Sequence, residues 1–150
     1  MKAEYINPFI QGTESTITMV CGEETKLGKV GLKNPPFNEV LTVTIEIVGD
    51  LKGYAIFGME LNTAYAIASK MMMGMPVNAL DDMSKSALCE LCNMISGSVA
   101  TVFSGIGKII DIRPPQMVEG GIAVSVPQLI CMPININNVG VLDINVWINE

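Results

Sequence analysis

Residues 39–59 read EVLTVTIEIVGDLKGYAIFGM, and their alternation decides the fold class. From Glu39 to Val48, β-branched residues alternate with polar ones, the period of a strand with one buried face. After the short turn region at Gly49-Asp50, Gly53 to Met59 supplies a second strand, and the two make a hairpin. Outward from this hairpin the chain carries helices. Upstream, Asn7-Pro8 looks like an N-cap followed by proline at the first helical position, opening a helix through about Val20. Asn34-Pro35-Pro36 is a turn or an extended break. Downstream, Asn62 is placed to cap a helix filled by Ala64 to Met73, which Gly74 ends and Pro76 cannot continue. A longer helix starts near Asp81 or Asp82 and runs to about Ser104, with Gly105 and Gly107 as its stop. The remainder reads as strands over Lys108–Ile112, Ile122–Val126, Leu129–Met132 and Gly140–Ile148. The expected fold is α+β, a single domain over residues 1–150 in which two or three helices cover one antiparallel sheet.

Composition narrows the function classes. The chain has 150 residues, 49% hydrophobic and 16% charged, enough for a core that needs no staples. Nine Lys plus Arg face fifteen Asp plus Glu, a formal charge of −6, so no basic patch is available to hold a nucleic acid. There is no histidine. That zero removes Ser–His–Asp and Cys–His nucleophile pairs and every His-ligated metal site. The longest uncharged stretch, Gly120 to Leu142, is interrupted by Pro127, Gln128, Pro133, Asn135, Asn137 and Asn138. It reads as paired strands and not as a membrane helix. The start, MKAEYINPF, has no signal-peptide pattern. Cysteines at 21, 89, 92 and 131 then fit a reducing cytoplasm.

The helix after Asp82 carries two stripes. Leu88, Cys92, Ile95, Val99, Val102 and Ile106 form an apolar seam. Ser86, Glu90, Asn93 and Gly97 recur on another side, with Asn93 roughly 140° around from Leu88 at about 100° per residue. Ser96-Gly97-Ser98 extends this ridge with side chains small enough for another backbone to come close. A glycine mid-helix costs about 1 kcal/mol relative to alanine, and asparagine is a weak helix former. Such residues are poor choices for a merely solvated face, so the pattern points to a contact surface, though to no reaction.

Ser86-x-x-x-Glu90-x-x-Asn93, followed about twenty residues later by Pro114-Pro115, resembles the signature of the CheC/CheX chemotaxis phosphatases. LKGYAIFGM, ASKMMMGMPV, DDMSKSALCELCNMISGSVAT and IDIRPPQMVEG resemble the CheX branch in particular. The resemblance implies a phosphatase acting on the aspartyl phosphate of a CheY-type response regulator. It implies Asn93 as the catalytic amide and Glu90 as the group that grips the regulator's lysine, with Ser86 and Gly97 shaping the contact. Mg2+ would come with the regulator, this chain needing no cofactor of its own, and the protein would be a homodimer joined through its sheets. Members of the CheC branch carry a second signature near the N-terminus. Residues 6–20, INPFIQGTESTITMV, contain no Glu-x-x-Asn, which favours the single-site branch. A non-enzymatic adaptor using the same ridge to bind a signalling partner is the alternative from another class.

Two further motifs compete for attention. Cys89-Glu90-Leu91-Cys92 has redox spacing, but it lies two turns inside a helix and not at the N-terminus that would activate a thiol. Zinc would need a second close pair, and Cys21 and Cys131 stand apart. Packing is the expected role of Cys89 and Cys92. Met71, Met72, Met73 and Met75 fit flexible core filling better than a binding surface. Arg113 is expected to be an ordinary surface charge, and Pro114-Pro115 a scaffold that positions the chain near the signature helix.

Overall fold

A computed structural model describes residues 3–34, 39–120 and 128–149. Three helices among the described residues, α1 (Ala3–Cys21), α2 (Leu61–Met71) and α3 (Asp82–Gly105), lie against an eight-stranded antiparallel sheet. The strands are β1 (Thr25–Leu27), β2 (Gly31–Lys33), β3 (Leu41–Gly49), β4 (Lys52–Met59), β5 (Ile110–Ile112), β6 (Gln116–Glu119), β7 (Leu129–Ile136) and β8 (Gly140–Asn149). The hairpin read from residues 39–59 is β3–β4, in register from Leu41 opposite Met59 to Ile47 opposite Gly53.

Alternation places one side chain in two against the helices. Val43 and Ile45 of β3, Ala55 and Phe57 of β4, and Ile144 and Val146 of β8 meet Phe9, Ile67, Leu88 and Ile95 from the helices in one core. Phe103 of α3 packs on Tyr5 and Phe9 of α1, with ring centroids 6.0 and 5.8 Å apart. The two helices also touch at Gly12, where an added Cβ would come within 2.7 Å of a Val99 methyl and 3.0 Å of the Val99 backbone nitrogen. Only a residue without a side chain lets the helices approach so closely.

The sheet order is β1–β7–β8–β4–β3–β5, with β2 also on β7 and β6 also on β3. This is a two-fold arrangement: a helix, a split edge strand and a hairpin, occurring twice. Both edge strands break in the same way. Ile45 and Glu46 of β3 lie opposite Arg113-Pro114-Pro115, between the Ile47–Ile112 and Thr44–Gln116 pairs. Met132 and Pro133 of β7 lie opposite Gly28-Lys29-Val30, between the Leu27–Ile134 and Gly31–Cys131 pairs. Each is a bulge of one extra residue, and Arg113 N donates to Glu46 O as Gly28 N donates to Pro133 O.

Several local expectations are corrected. α1 begins at least four residues before Asn7, so Pro8 lies inside it with its ring buried. One main-chain bond is lost there, and apolar burial offsets that loss. The N-cap of α2 is Glu60, one residue before the helix, and not Asn62; it makes no side-chain cap bond, and the helix ends at Met71. β5 starts at Ile110 because Asp50 exchanges two bonds with Ile109, its main-chain N–H donating to the Ile109 carbonyl and its carboxylate accepting from the Ile109 N–H. β1, β2 and β6 escaped the reading because three or four residues are too few to display alternation. The expected strand Ile122–Val126 lies outside the described residues. The apolar seam holds for Leu88, Cys92, Ile95 and Val99, whereas Val102 is half-buried and Ile106 exposed. Ile106 follows the last helical turn, and Phe103 takes the buried place.

Candidate functional site

The ridge on α3 begins with a strong start signal. Asp81 is the N-cap: its carboxylate accepts from Ser84 N at 2.9 Å, while Ser84 Oγ accepts from Asp81 N at 2.9 Å. This reciprocal box satisfies two donors that a helix start leaves open, and it fixes the entry angle of α3. The Ser84 N–H and then its hydroxyl hold the Asp81 carboxyl below the ordinary carboxylate range. Among the described residues α3 alone is long and apolar enough to cross a bilayer, but Leu88, Leu91, Cys92, Ile95 and Phe103 are spent on the core.

Buried positions on α3 run from Leu91 round to Ser96, an arc of roughly 140° at about 100° per residue. Such an arc is wide because the helix packs on α1 and on the sheet at once. Opposite it lie Ser86 and Glu90, both exposed, and Asn93, half-buried. Ser86, Cys89, Glu90 and Asn93 form one wall of an open groove of about 510 Å³, and Ile112, Pro114 and Pro115 form the other. The second wall has a simple origin. Neither proline can donate to the sheet ladder, so the edge strand leaves β3 between β5 and β6 and turns its rings toward α3. Lys85 and Glu119, 3.5 Å apart, link the start of α3 to β6 at the end of this wall.

Among the described residues no hydrogen bond or ion pair engages the Ser86, Glu90 or Asn93 side chains, so their polar groups face solvent or a visitor. Gly97 shows the same outward character: an added Cβ would meet nothing within 4 Å. Gly12 is required by packing; Gly97 is not. Ser96, expected on the ridge, instead turns inward and is buried, its hydroxyl without a partner among the described residues.

The cysteines behave as small apolar residues. Burial pushes the Cys92 thiol well above its ordinary pKa, and neighbouring Cys89 adds to this. Cys89 is raised by burial too. Neither is a ready thiolate. Among the described residues no three Cys, Asp, Glu or His side chains gather to hold a metal ion.

Reading the sequence missed two things. One is the groove itself, which needs the edge-strand bulge. The other is a second Glu-x-x-Asn spacing, Glu4 and Asn7, which straddles the start of the residue 6–20 segment. Both are exposed on the first turns of α1, and neither lines a groove described here.

Residues 41–134 match the family described as "Chemotaxis phosphatase CheX". The CheY-P phosphatase CheX of Thermotoga maritima is 36% identical over 121 residues, covering 80% of this chain and 78% of that protein. A CheC-like superfamily protein from Shewanella sp. PV-4 superposes with a TM-score of 0.88 at 26% identity, covering 100% of both chains. CheX in a CheX–CheY–BeF3–Mg2+ complex from Borrelia burgdorferi superposes with a TM-score of 0.83 at 26% identity, over 97% of this chain and 98% of that one. The class is thus the CheC/CheX-like α+β phosphatases, three helices on an antiparallel sheet. Within it, the chain belongs to the CheX chemotaxis phosphatase family.

Proposed function

We propose that this chain, acting as one phosphatase domain, hydrolyses the aspartyl phosphate of a CheY-type response regulator in the cytoplasm, using Asn93 as the catalytic amide and Glu90 as the docking acid. The observation that carries the reading is the convergence of Ser86, Glu90 and Asn93 on one groove against Pro114 and Pro115, with no partner among the described residues for any of the three side chains. The Borrelia burgdorferi relative, captured with CheY, BeF3 and Mg2+, supports both the partner and the entry of the metal on the regulator.

An acyl phosphate is already activated, so hydrolysis chiefly needs a water in line with the breaking bond. The Asn93 carboxamide can accept from that water and donate to a phosphoryl oxygen without changing protonation state. Water oxygen bonds to phosphorus, the phosphorus–carboxylate bond breaks, and the regulator's aspartate leaves as a carboxylate. The water's proton departs with inorganic phosphate. Glu90, one turn before Asn93, pairs with the regulator's lysine and fixes the approach. Ser86 and Gly97 flank this pair and keep the ridge low. Self-association through the sheet, as the family resemblance implies, is supported by the half-buried Tyr54–Trp147 stack, 6.4 Å between centroids, on the face away from the helices.

The test is phosphate release from each of the host's phosphorylated response regulators, with the wild-type chain and Asn93→Ala. Acceleration of one regulator by wild type, lost in the variant, is expected. A regulator that binds but keeps its phosphorylated lifetime at stoichiometric protein would make the chain an adaptor instead.

A further inference from the structure

Across the ridge from Asn93 lies a second groove, of about 600 Å³, lined by Met71, Asp82, Met83, Ser86, Ala87 and Glu90. It shares Ser86 and Glu90 with the first groove, so any partner that reaches over Glu90 meets it. Its apolar lining is Ala87 and two methionines, methionine being the side chain best able to adapt to a foreign surface. Met83 is 62% exposed in the first turn of α3 and lies outside the core formed by the described residues.

The turn after Met71 is more telling. Gly74 N donates to Ser69 O at 2.8 Å, the bond that closes a helix over a left-handed residue. That left-handed residue is Met73, at φ 59°, and the glycine stands one position later at φ 84°. The other non-glycine residue at positive φ among the described residues is Asn138, at 63°, a type that tolerates this conformation well. Methionine is disfavoured there, and the Met73 side chain, 97% exposed, gains no packing in return. Neither backbone preference nor core filling explains it, and Met75, at 55% exposed, continues the apolar surface.

We propose that the Met71–Met83 groove, with the Met73 turn beside it, is the docking surface for an apolar segment of the phosphorylated regulator next to its phosphorylation site, and that it sets partner affinity, leaving hydrolysis to Asn93. This rests on the reading of Glu90 and Asn93 above. The methionines that the sequence assigned to core filling thus divide: Met71 and Met72 stay half-buried, while Met73 and Met75 face out, as Met83 on α3 does.

The experiment uses the regulator identified by phosphate release, activated with beryllofluoride and Mg2+ for binding and phosphorylated for turnover. The variants are Met73→Gly, Met83→Ser and their double. Met73→Gly suits the left-handed turn better than methionine, so its thermal midpoint should equal or exceed wild type while its affinity falls. The double variant should raise Kd and KM by roughly tenfold, the order expected for withdrawing two partly buried apolar side chains from an interface, with kcat within about twofold. Asn93→Ala should do the reverse, losing kcat and keeping affinity. Unchanged affinity in the double variant would overturn the docking surface, whatever Asn93→Ala does. An unaffected kcat in Asn93→Ala would overturn the catalytic reading separately. A double variant that sediments as a smaller species than wild type would overturn the proposal too, by assigning the groove to a second copy of this chain.

Discussion

Replacing Gly97 with alanine tests the ridge most directly, because fold and function pull in opposite directions there. Gly97 lies in the interior of α3, and an added Cβ has nothing within 4 Å. No steric cost is incurred, so the change should recover the helix-propensity difference of about 1 kcal/mol. For a domain of this size that corresponds to a rise in Tm of about 2–4 °C. Gly12→Ala is the control of opposite sign. Its Cβ would press on a Val99 methyl at 2.7 Å and, less forgivingly, on the Val99 backbone nitrogen at 3.0 Å. Overpacking costs about 1–3 kcal/mol and outweighs the same propensity gain, so Gly12→Ala should lower Tm. Differential scanning calorimetry gives both signs, and regulator turnover by each variant gives the functional half. Gly97→Ala should bind the regulator more weakly despite being more stable, since its methyl occupies space the partner's backbone needs. A stabilised variant with unchanged turnover would refute the close approach. A variant no more stable than wild type would refute the outward placement of residue 97.

Asn93→Ala should reduce accelerated dephosphorylation by roughly 10²–10³-fold, the usual cost of deleting one oriented polar group, with circular dichroism and Tm unchanged. Ser84→Ala should destabilise the chain by about 1–2 kcal/mol in urea melts, because it opens the capping box and leaves the part-buried Asp81 N–H without its acceptor. Asp81 adds a pH signature. Its carboxyl sits below the ordinary range in the folded chain, so its stabilisation is complete above the unfolded value near 4 and is lost as pH falls through the folded value. Asp81→Asn should flatten the loss of stability in that acid window, as read by Tm against pH. Native protein at pH 8 should leave Cys92 unmodified by a thiol-alkylating reagent, as mass spectrometry of the digest would show, since burial both shields its thiol and raises its pKa.

What could be read from the sequence was whatever repeats along the chain. The β3–β4 hairpin spans enough residues to display its period, and α3 spans enough turns to show two faces. Glu90 and Asn93 were legible as a pair because i and i+3 on a helix share a side whatever the helix packs against. Ser96 was misplaced because its burial depends on α1, which approaches α3 from a direction no local spacing encodes. Pro114-Pro115 was legible as a break. That the break faces Asn93 depends on a long-range register, Ile47 with Ile112 and Thr44 with Gln116. Met73 was assigned to filling because composition cannot report a positive φ.

The two-fold arrangement sharpens why one half carries the site. Both edge strands bulge by one residue, so the backbone offers the same interruption beside each long helix. The residues in the bulge differ. Gly28 and Arg113 open the two bulges with the same main-chain bond to the neighbouring strand, but Lys29-Val30 follows the first and Pro114-Pro115 the second. Pro114 and Pro115 cannot lie flush, because neither has an N–H for β3 and both rings take up room, so they stand off as a wall. A wall of two rings is rigid, and it faces Asn93 across the groove, which suits the water-orienting role proposed for that amide. The absence of histidine follows the same logic. Under the proposed function, a site that accepts its metal, lysine and activated phosphate from a partner needs a stiff groove and one neutral amide, and Asn93 lines a groove walled by Pro114 and Pro115.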